Sequence, residues 1–147
     1  MKPGLKVGDR SSHAMTVEEA HVVPRLFAEQ NDGAGAFPDM PPVFATANMV
    51  ALMEWACVEQ LKPFYEDGED SVGIHVDVDQ SAPTLPGQTV TVDSEVESMD
   101  GRFVWFRVRA HDGVDVIGQG RHRRAVIERA KFAERLAGKA ALVAARG

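Results

Sequence analysis

The segment from Phe44 to Phe64 reads F-A-T-A-N-M-V-A-L-M-E-W-A-C-V-E-Q-L-K-P-F, and it decides the fold. Its apolar residues recur at helical spacing, and it is the only long segment with that periodicity in the first two-thirds of the chain. Thr46 is a candidate N-cap near its start, and Pro63 ends the helix after Lys62. We therefore expect one apolar helix here, with the other elements organised around it.

Glu54 is the one acidic residue on the apolar half of this helix. Its neighbours three and four residues away are Val50, Ala51, Cys57 and Val58. A carboxylate in apolar surroundings loses hydration, so it needs a partner or a chemical role. The alternative is a glutamate at the edge of the helix whose carboxylate reaches water. Glu54 is the first candidate for a functional residue.

After the helix, the apolar pattern changes to a period of two, which predicts a strand from Ser71. Gln80 has the parity of the apolar residues, so we expect its side chain to point towards the helix, whereas His75 points away. The residues expected to face the helix with Gln80 are Val72, Ile74, Val76 and Val78.

The rest of the chain alternates between strands and turns. A helical piece interrupted at Pro24 and a flexible turn from Asn31 to Gly35 precede the helix, and Asp-Gly pairs mark tight turns between the later strands. A terminal helix lies within residues 130–147. The further strands are expected at Arg10–Val17, Gln88–Met99, Arg102–His111 and Val114–Glu128.

This order predicts an α+β fold in which one antiparallel sheet wraps around a central helix. The 147 residues fit one domain, 1–147, that is large enough for a substantial core. A single sheet and helix leave the other sheet face and an edge strand bare. We therefore expect two subunits to pair as a homodimer.

Composition limits the partners and the compartment. The net charge of -6 argues against nucleic-acid binding, while the basic segment after Arg121 suits a small polyanionic ligand or is a solvated helix. One cysteine, Cys57, allows no intrachain disulfide and fits a reducing cytosol. We expect no membrane association, because there is no signal peptide and no apolar run of spanning length. No histidine spacing suggests a metal site.

Several motifs of the chain resemble the hotdog-fold acyl-CoA thioesterases, and among them the fluoroacetyl-CoA thioesterases. The resemblance covers nearly the whole chain and implies a hotdog fold, a homodimer with active sites at the subunit interface, and hydrolysis of a small acyl-CoA. The motifs are F-A-T-x-x-M-V-x-L-M-E-W-A-C at Phe44–Cys57, S-V-G at Ser71–Gly73, A-P-T-x-P-G at Ala82–Gly87, and A-H-D-G-V-D-V-I-G-x-G-x-H-x-R-A-V-I at Ala110–Ile127.

The resemblance also assigns catalytic positions. The family's threonine corresponds to Thr46 and its glutamate to Glu54, but its histidine falls on Gln80. Glutamine can donate or accept a hydrogen bond but cannot carry a proton at neutral pH. Thr46 and Glu54 are eight residues apart, roughly 12 Å along an ideal helix. Either Thr46 lies on a loop that folds back, or the two meet through the substrate or a second subunit.

Each catalytic candidate has a chemical role and an alternative. Glu54 would act as base or nucleophile on the thioester. Thr46 would orient a water or the thioester, or it caps the helix. Gln80 would contact the acyl carbonyl or Glu54, or it is a satisfied buried amide.

The substrate-binding candidates lie around these three. Phe37 and Phe44 would form a lid over the pocket, or they pin the connection to the core. Gly73 would present its N–H to an oxyanion, or it is a turn glycine. The arginines expected to meet the CoA phosphates, with surface solvation as their alternative, are Arg121, Arg123 and Arg124.

Three functions fit the sequence. The first is an acyl-CoA thioesterase that needs no cofactor beyond the CoA of its substrate. The second is a catalytically weak acyl-CoA-binding protein, because Gln80 replaces the family's histidine. The third is a hotdog dehydratase or hydratase, but that chemistry uses a histidine with an acid, and none is expected on the inward face of the helix or the following strand.

Overall fold

A computed structural model describes residues 1–30 and 35–147. The predicted turn at Asn31–Gly35 lies, apart from Gly35, outside the described residues. Where a helical piece interrupted at Pro24 was expected, two short 3-10 turns occur, Glu19–His21 and Val23–Arg25. The strands are β1 (Arg10–Thr16), β2 (Glu69–Val78), β3 (Thr89–Asp100), β4 (Phe103–His111) and β5 (Val116–Glu128), and the helices are α1 (Thr46–Leu61) and α2 (Arg129–Arg146).

The five strands form one antiparallel sheet in the order β1-β3-β4-β5-β2. Tight turns at Asp100–Gly101 and Asp112–Gly113 join the three central strands, as predicted. Gly101 has φ +59°, a conformation that glycine adopts without the steric cost of a side chain. Among the described residues, β1 and β2 are the edges of the sheet, and an edge strand can pair with another chain through its outer backbone groups.

Asp112 organises the second of these turns. Its carboxylate accepts hydrogen bonds from the N–H groups of Val114 and Asp115, at 3.0 and 2.8 Å, and from the hydroxyl of Thr84 at 2.8 Å. Burial raises the pKa of Asp112, but these hydrogen bonds outweigh it and hold the pKa below its ordinary value. The turn is therefore anchored to the loop that carries Thr84 by an ionised side chain.

Helix α1 packs against the concave side of the sheet, in contact with β1, β2, β3 and β4. Its buried side chains meet apolar residues of β3 and β4, including Val92 and Phe106, in one core. Complete burial of a side chain such as Leu52 contributes about 1.5–3 kcal/mol to stability. The buried residues of α1 are Met49, Leu52, Met53, Ala56, Cys57, Gln60 and Leu61.

The two ends of α1 differ in how well the sequence predicted them. The C-terminal end is as expected, since the helix stops at Leu61 and a 3-10 turn follows at Lys62–Phe64. The N-cap is Ala45, so the prediction of Thr46 as a cap is wrong. Thr46 is instead the first helical residue, and its hydroxyl is free to bond elsewhere.

Strand β2 departs from a simple alternation. A bulge shifts its register against β5 between Gly73 and His75. Ser71 and Gly73 consequently face the helix in the first half of the strand, and Ile74 is 45% exposed. The prediction that one parity runs unbroken from Val72 to Val78 is wrong for this reason, although His75 points outward as expected and lies against Trp105.

Helix α2 extends from the end of β5 and has no buried residue. Its first residue is attached to the body, because Arg129 donates its N–H to the carbonyl of Gly68 at 2.9 Å. Among the described residues, no helix is both long and apolar enough to cross a membrane.

Candidate active site

Glu54 lies on a strip of α1 that the sheet does not cover. Ala47 and Ala51 on this strip are exposed, and Val50 and Val58 are partly buried. The side chain of Glu54 itself is 40% exposed. The apolar half of the predicted helix is thus divided into a buried face and an open face, and the acid belongs to the open one.

Arg124 of β5 donates a hydrogen bond to the carboxylate of Glu54. Its Nη1 donates to Glu54 Oε1 at 3.2 Å, while its Nε and Nη2 donate to the hydroxyl and the carbonyl of Ser71, at 2.9 and 3.0 Å. Arg124 is 5% exposed, so its guanidinium depends on these partners in place of water. Solvent screens the pair on the glutamate side, which makes its main effect one of orientation.

Arg124 is buried, which rules out surface solvation, the alternative given for it, and separates it from the two other arginines expected to meet the CoA phosphates. Neighbouring residues of a strand point to opposite faces, so Arg123 and Arg124 cannot lie on the same side of the sheet. Arg121 and Arg123 are on the outer face, where Arg121 stacks over Trp105 at 4.0 Å and pairs with Glu97 at 2.8 Å. Phosphate binding by Arg121 and Arg123 stays a prediction, whereas Arg124 is committed to Glu54 and Ser71.

Gly73 forms the wall of the site beside Glu54. It is a strand residue in β2, not the turn glycine of the alternative interpretation. A Cβ at this position would overlap Glu54 Oε1, at a separation that Cβ atoms almost never show, and would lie 3.1 Å from His122 Cε1. The missing side chain therefore gives the carboxylate its place against the backbone of β2.

His122 is a site residue that the sequence reasoning missed. It is 1% exposed, and its Nε2 lies 3.1 Å from Arg124 Nη1 and 3.9 Å from Glu54 Oε1. Its pKa is lowered, chiefly by burial and further by the charge of Arg124. The strand alternation of β5 could have indicated it, because His122 and Arg124 are two residues apart and therefore share the face opposite Arg121.

Thr46 and Gln80 form a second polar pair at the start of α1. The hydroxyl of Thr46 donates to Gln80 Oε1, and Gln80 Nε2 donates to the carbonyl of Phe44 at 3.1 Å. The side chain of Gln80 thus points towards the helix, in the direction that was predicted. Its amide ties the end of β2 to the first turn of α1.

The structure does not bring all three predicted catalytic residues together within one chain. Thr46 contacts Gln80, but both lie about two turns of helix from Glu54, roughly 12 Å along the axis. Thr46 belongs to the helix, so a loop that folds back is ruled out. That the two groups meet across a substrate or a second subunit stays a prediction.

The two phenylalanines of the expected lid occupy different environments. Phe44 is 1% exposed and belongs to the core, which corrects its assignment to a lid. Phe37 is partly buried and stacks on Phe27 with ring centroids 5.9 Å apart. Among these residues, Phe37 remains the candidate for contact with a substrate.

Comparison with known proteins identifies relatives over most of the chain. Residues 22–130 match the family model described as FlK, fluoroacetyl-CoA-specific thioesterase. A fluoroacetyl-CoA thioesterase from Streptantibioticus cattleyicolor is 48% identical over 132 residues, which are 90% of this chain and 92% of that protein.

Solved structures show the same relationship. A structure of the fluoroacetyl-CoA thioesterase FlK superposes with a TM-score of 0.86 and 46% identity, over 92% of this chain and 98% of that one. A phenylalanine-to-alanine mutant of FlK in complex with fluoroacetate and CoA gives 0.79 and 48%, over 87% and 99%. A thioesterase superfamily member from Thermus thermophilus gives 0.83 and 27%, over 97% and 98%.

Proposed function

The chain belongs to the fluoroacetyl-CoA-specific thioesterase family, and we propose that it hydrolyses a small acyl-CoA to the free acid and CoA. The observation that carries this proposal is the setting of Glu54. Its contacts with Arg124 and His122 both fall on Oε1, and Oε2 accepts no hydrogen bond from the described residues. Oε1 is therefore fixed by these contacts, whereas Oε2 is available to act on a substrate or a water.

In the hydrolytic step, Glu54 acts as base or nucleophile. As a base, Oε2 takes a proton from a water while the water oxygen attacks the thioester carbonyl; the C–S bond then breaks, and the CoA thiolate leaves and is protonated. As a nucleophile, Oε2 attacks the carbonyl itself, the C–S bond breaks, and the CoA thiolate leaves and is protonated; water then hydrolyses the resulting anhydride to the free acid and the Glu54 carboxylate. In both cases Arg124 keeps the carboxylate aimed along the open strip of α1.

Thr46 and Gln80 bind and orient the substrate in this proposal. The hydroxyl of Thr46 donates its hydrogen bond to Gln80 Oε1. An amide oxygen does not remove a proton at neutral pH, so Gln80 cannot convert Thr46 into a nucleophile. The Thr46 oxygen still has lone pairs that can accept a hydrogen bond from water. Acid–base chemistry therefore rests on Glu54, and the Thr46–Gln80 pair supplies polar contacts.

A homodimer would complete the site. Strand β2 is an edge of the sheet, and its Ile74 and Val76 are each 45% exposed, as expected for an edge that another chain covers. Antiparallel pairing of two β2 edges sets the Gly73 end of one strand beside the far end of the other. Glu54 of one subunit would then approach the end of the partner that carries Thr46 and Gln80.

The dimer is tested by a charge on the exposed edge. Val76→Lys should convert the protein to monomers in sedimentation velocity and reduce turnover with it. Val7→Lys is a matched control, because Val7 is 63% exposed just before β1, at the opposite edge of the sheet from β2. A wild-type protein that sediments as a stable monomer and is fully active would contradict the shared site.

The activity is tested by thiol release over a panel of short acyl-CoA substrates. The panel includes fluoroacetyl-CoA and acetyl-CoA, because relatives have been solved with fluoroacetate and CoA, and with acetyl-CoA. We expect turnover that depends on acyl size. No thiol release from any member, with CoA binding retained, would refute the proposal.

That second result defines the alternative function, an acyl-CoA-binding protein with weak turnover. The observation in its favour is Gln80, which stands where the resemblance implies a histidine and whose amide oxygen and nitrogen are both engaged, by Thr46 and by Phe44. Equilibrium dialysis with a non-hydrolysable acyl-CoA analogue distinguishes binding from catalysis.

A further inference from the structure

A buried histidine links the backbone of β2 to the arginine beneath Glu54. The Nδ1 atom of His122 lies 2.8 Å from the carbonyl oxygen of His75, and its Nε2 lies 3.1 Å from Arg124 Nη1. With 1% exposure, the ring is shielded from bulk solvent. Both ring nitrogens are therefore committed to protein partners.

These two contacts permit only one protonation state of His122. A carbonyl oxygen only accepts, so Nδ1 must carry the hydrogen; a guanidinium only donates, so Nε2 must carry the lone pair. The ring is then neutral with its proton on Nδ1. Burial, the first cause of its lowered pKa, favours the same neutral form.

In this state His122 fixes the direction of Arg124. Nη1 carries two hydrogens, one directed to His122 Nε2 and the other to Glu54 Oε1, 3.2 Å away. Ser71 holds the rest of the guanidinium through its hydroxyl and its carbonyl. Without an acceptor at the Nε2 position, the two Ser71 contacts alone would hold the guanidinium, and the Nη1 hydrogen directed at His122 would have no partner.

The bulge in β2 connects this arrangement to the rest of the site. The register shift between Gly73 and His75 lets Gly73 face Glu54 and also presents the His75 carbonyl to His122. One backbone irregularity thus makes room for the carboxylate and sets the tautomer of the histidine behind it.

We propose that His122, as the neutral Nδ1–H tautomer, is a positioning residue that aims Arg124 and through it Glu54. The inference rests on the proposed role of Glu54 in thioester hydrolysis. His122 does not contact the substrate, so its removal changes the rate of the step more than the affinity.

Two amide variants separate the two nitrogens of His122. The oxygen of glutamine in His122→Gln can occupy the place of Nε2 and accept from Arg124, whereas the nitrogen of asparagine in His122→Asn can occupy the place of Nδ1 and leaves Arg124 without an acceptor. We expect His122→Asn to lower kcat by ~10-fold or more with little change in KM, and His122→Gln to recover most of that loss.

The comparison is made on variants that both fold, as judged by circular dichroism and thermal unfolding. A merely structural histidine would give equal losses of kcat in the two variants, or losses that follow Tm, and either result would overturn the proposal. In wild type, kcat should also fall in acid as His122 gains a proton, because the cation would face Arg124 with no lone pair. Glu54 is the other ionisable group beside His122, and the charge of the His75 side chain acts on it from the opposite face of the sheet. The contribution of His122 should be absent in His122→Gln.

The tautomer is tested without any activity measurement. Spectra of protein labelled with 15N at histidine, compared with His122→Gln to assign the signal, should show His122 neutral with the proton on Nδ1 at neutral pH. A proton on Nε2, or an imidazolium, would overturn the proposal. If wild type hydrolysed no acyl-CoA, the proposed function would fail while this spectrum still decided the state of His122.

Discussion

Gly73→Ala is the substitution whose effect follows most directly from the geometry of the site. The added Cβ would come closer than 3.0 Å to Glu54 Oε1, which is the far end of a flexible side chain and so moves at little cost to folding. It would also lie 3.1 Å from His122 Cε1 and 3.3 Å from Arg124 Nη1, which must each give by a few tenths of an ångström. Gly73 is not among the glycines with positive φ, so alanine fits the backbone. The carboxylate must shift by an amount on the order of 1 Å, a displacement that costs about 10²-fold in rate.

We therefore expect Gly73→Ala to keep its Tm within a few degrees and to lose about 10²-fold in kcat, or ~2.7 kcal/mol of transition-state stabilisation. The assay is thiol release at saturating acyl-CoA, with Tm measured on the same samples. Gly138→Ala is the matched control, because a Cβ on that residue of α2 meets nothing within 4 Å. A folded Gly73→Ala protein with parental kcat would refute the placement of the carboxylate against β2.

Further substitutions at Gln80, Asp112 and the two outer arginines test the surroundings of the site. Gln80→Ala leaves the Phe44 carbonyl without its donor and should lower the free energy of unfolding by about 1–3 kcal/mol in urea titrations. Gln80→His should raise kcat, because imidazole accepts a proton. An unchanged kcat in Gln80→His would show that glutamine suffices. Asp112→Asn should be less stable than wild type at neutral pH. Because the folded pKa of Asp112 is depressed, its contribution is present above its unfolded value of about 3.9 and is lost as pH falls through the folded pKa, so the difference should shrink in acid; a difference independent of pH would contradict this. Alanine at Arg121 or Arg123 should raise KM, less so at high salt, and an unchanged KM would assign both to the outer surface alone.

Much of the fold was predictable because its signals are local. The helical spacing from Phe44 to Phe64, the period of two in the strands and the Asp-Gly turns each depend on a few neighbouring residues, and the structure has the corresponding elements. Glu54 could be selected as a candidate for the same reason, since an acid among apolar neighbours on a helix is visible in the sequence, and its catalytic role stays a prediction.

The features that sequence reasoning missed depend on pairing between distant segments. The bulge between Gly73 and His75 is a shift in the register of β2 against β5, so no pattern of neighbouring residues predicts it. The inward direction of Arg124 was readable from strand alternation, but an arginine is usually exposed, and its burial requires Ser71 and Glu54 from other elements. Capping was one of two roles expected for Thr46, because its residue type favours that position, but its hydroxyl donates to Gln80.

Glu54→Gln provides the most direct test of the claim that this carboxylate performs the hydrolysis. An amide oxygen can still accept from Arg124 Nη1, so the variant should keep its fold, while the amide can neither remove a proton from water nor attack the thioester. Glu59→Gln, on the same helix and engaged with Trp55 and Lys62, is the control for the loss of one negative charge. We expect Glu54→Gln to lose ~10²-fold or more in kcat for acyl-CoA hydrolysis, with Glu59→Gln close to wild type. A folded Glu54→Gln protein that releases CoA at the parental rate would contradict the mechanism.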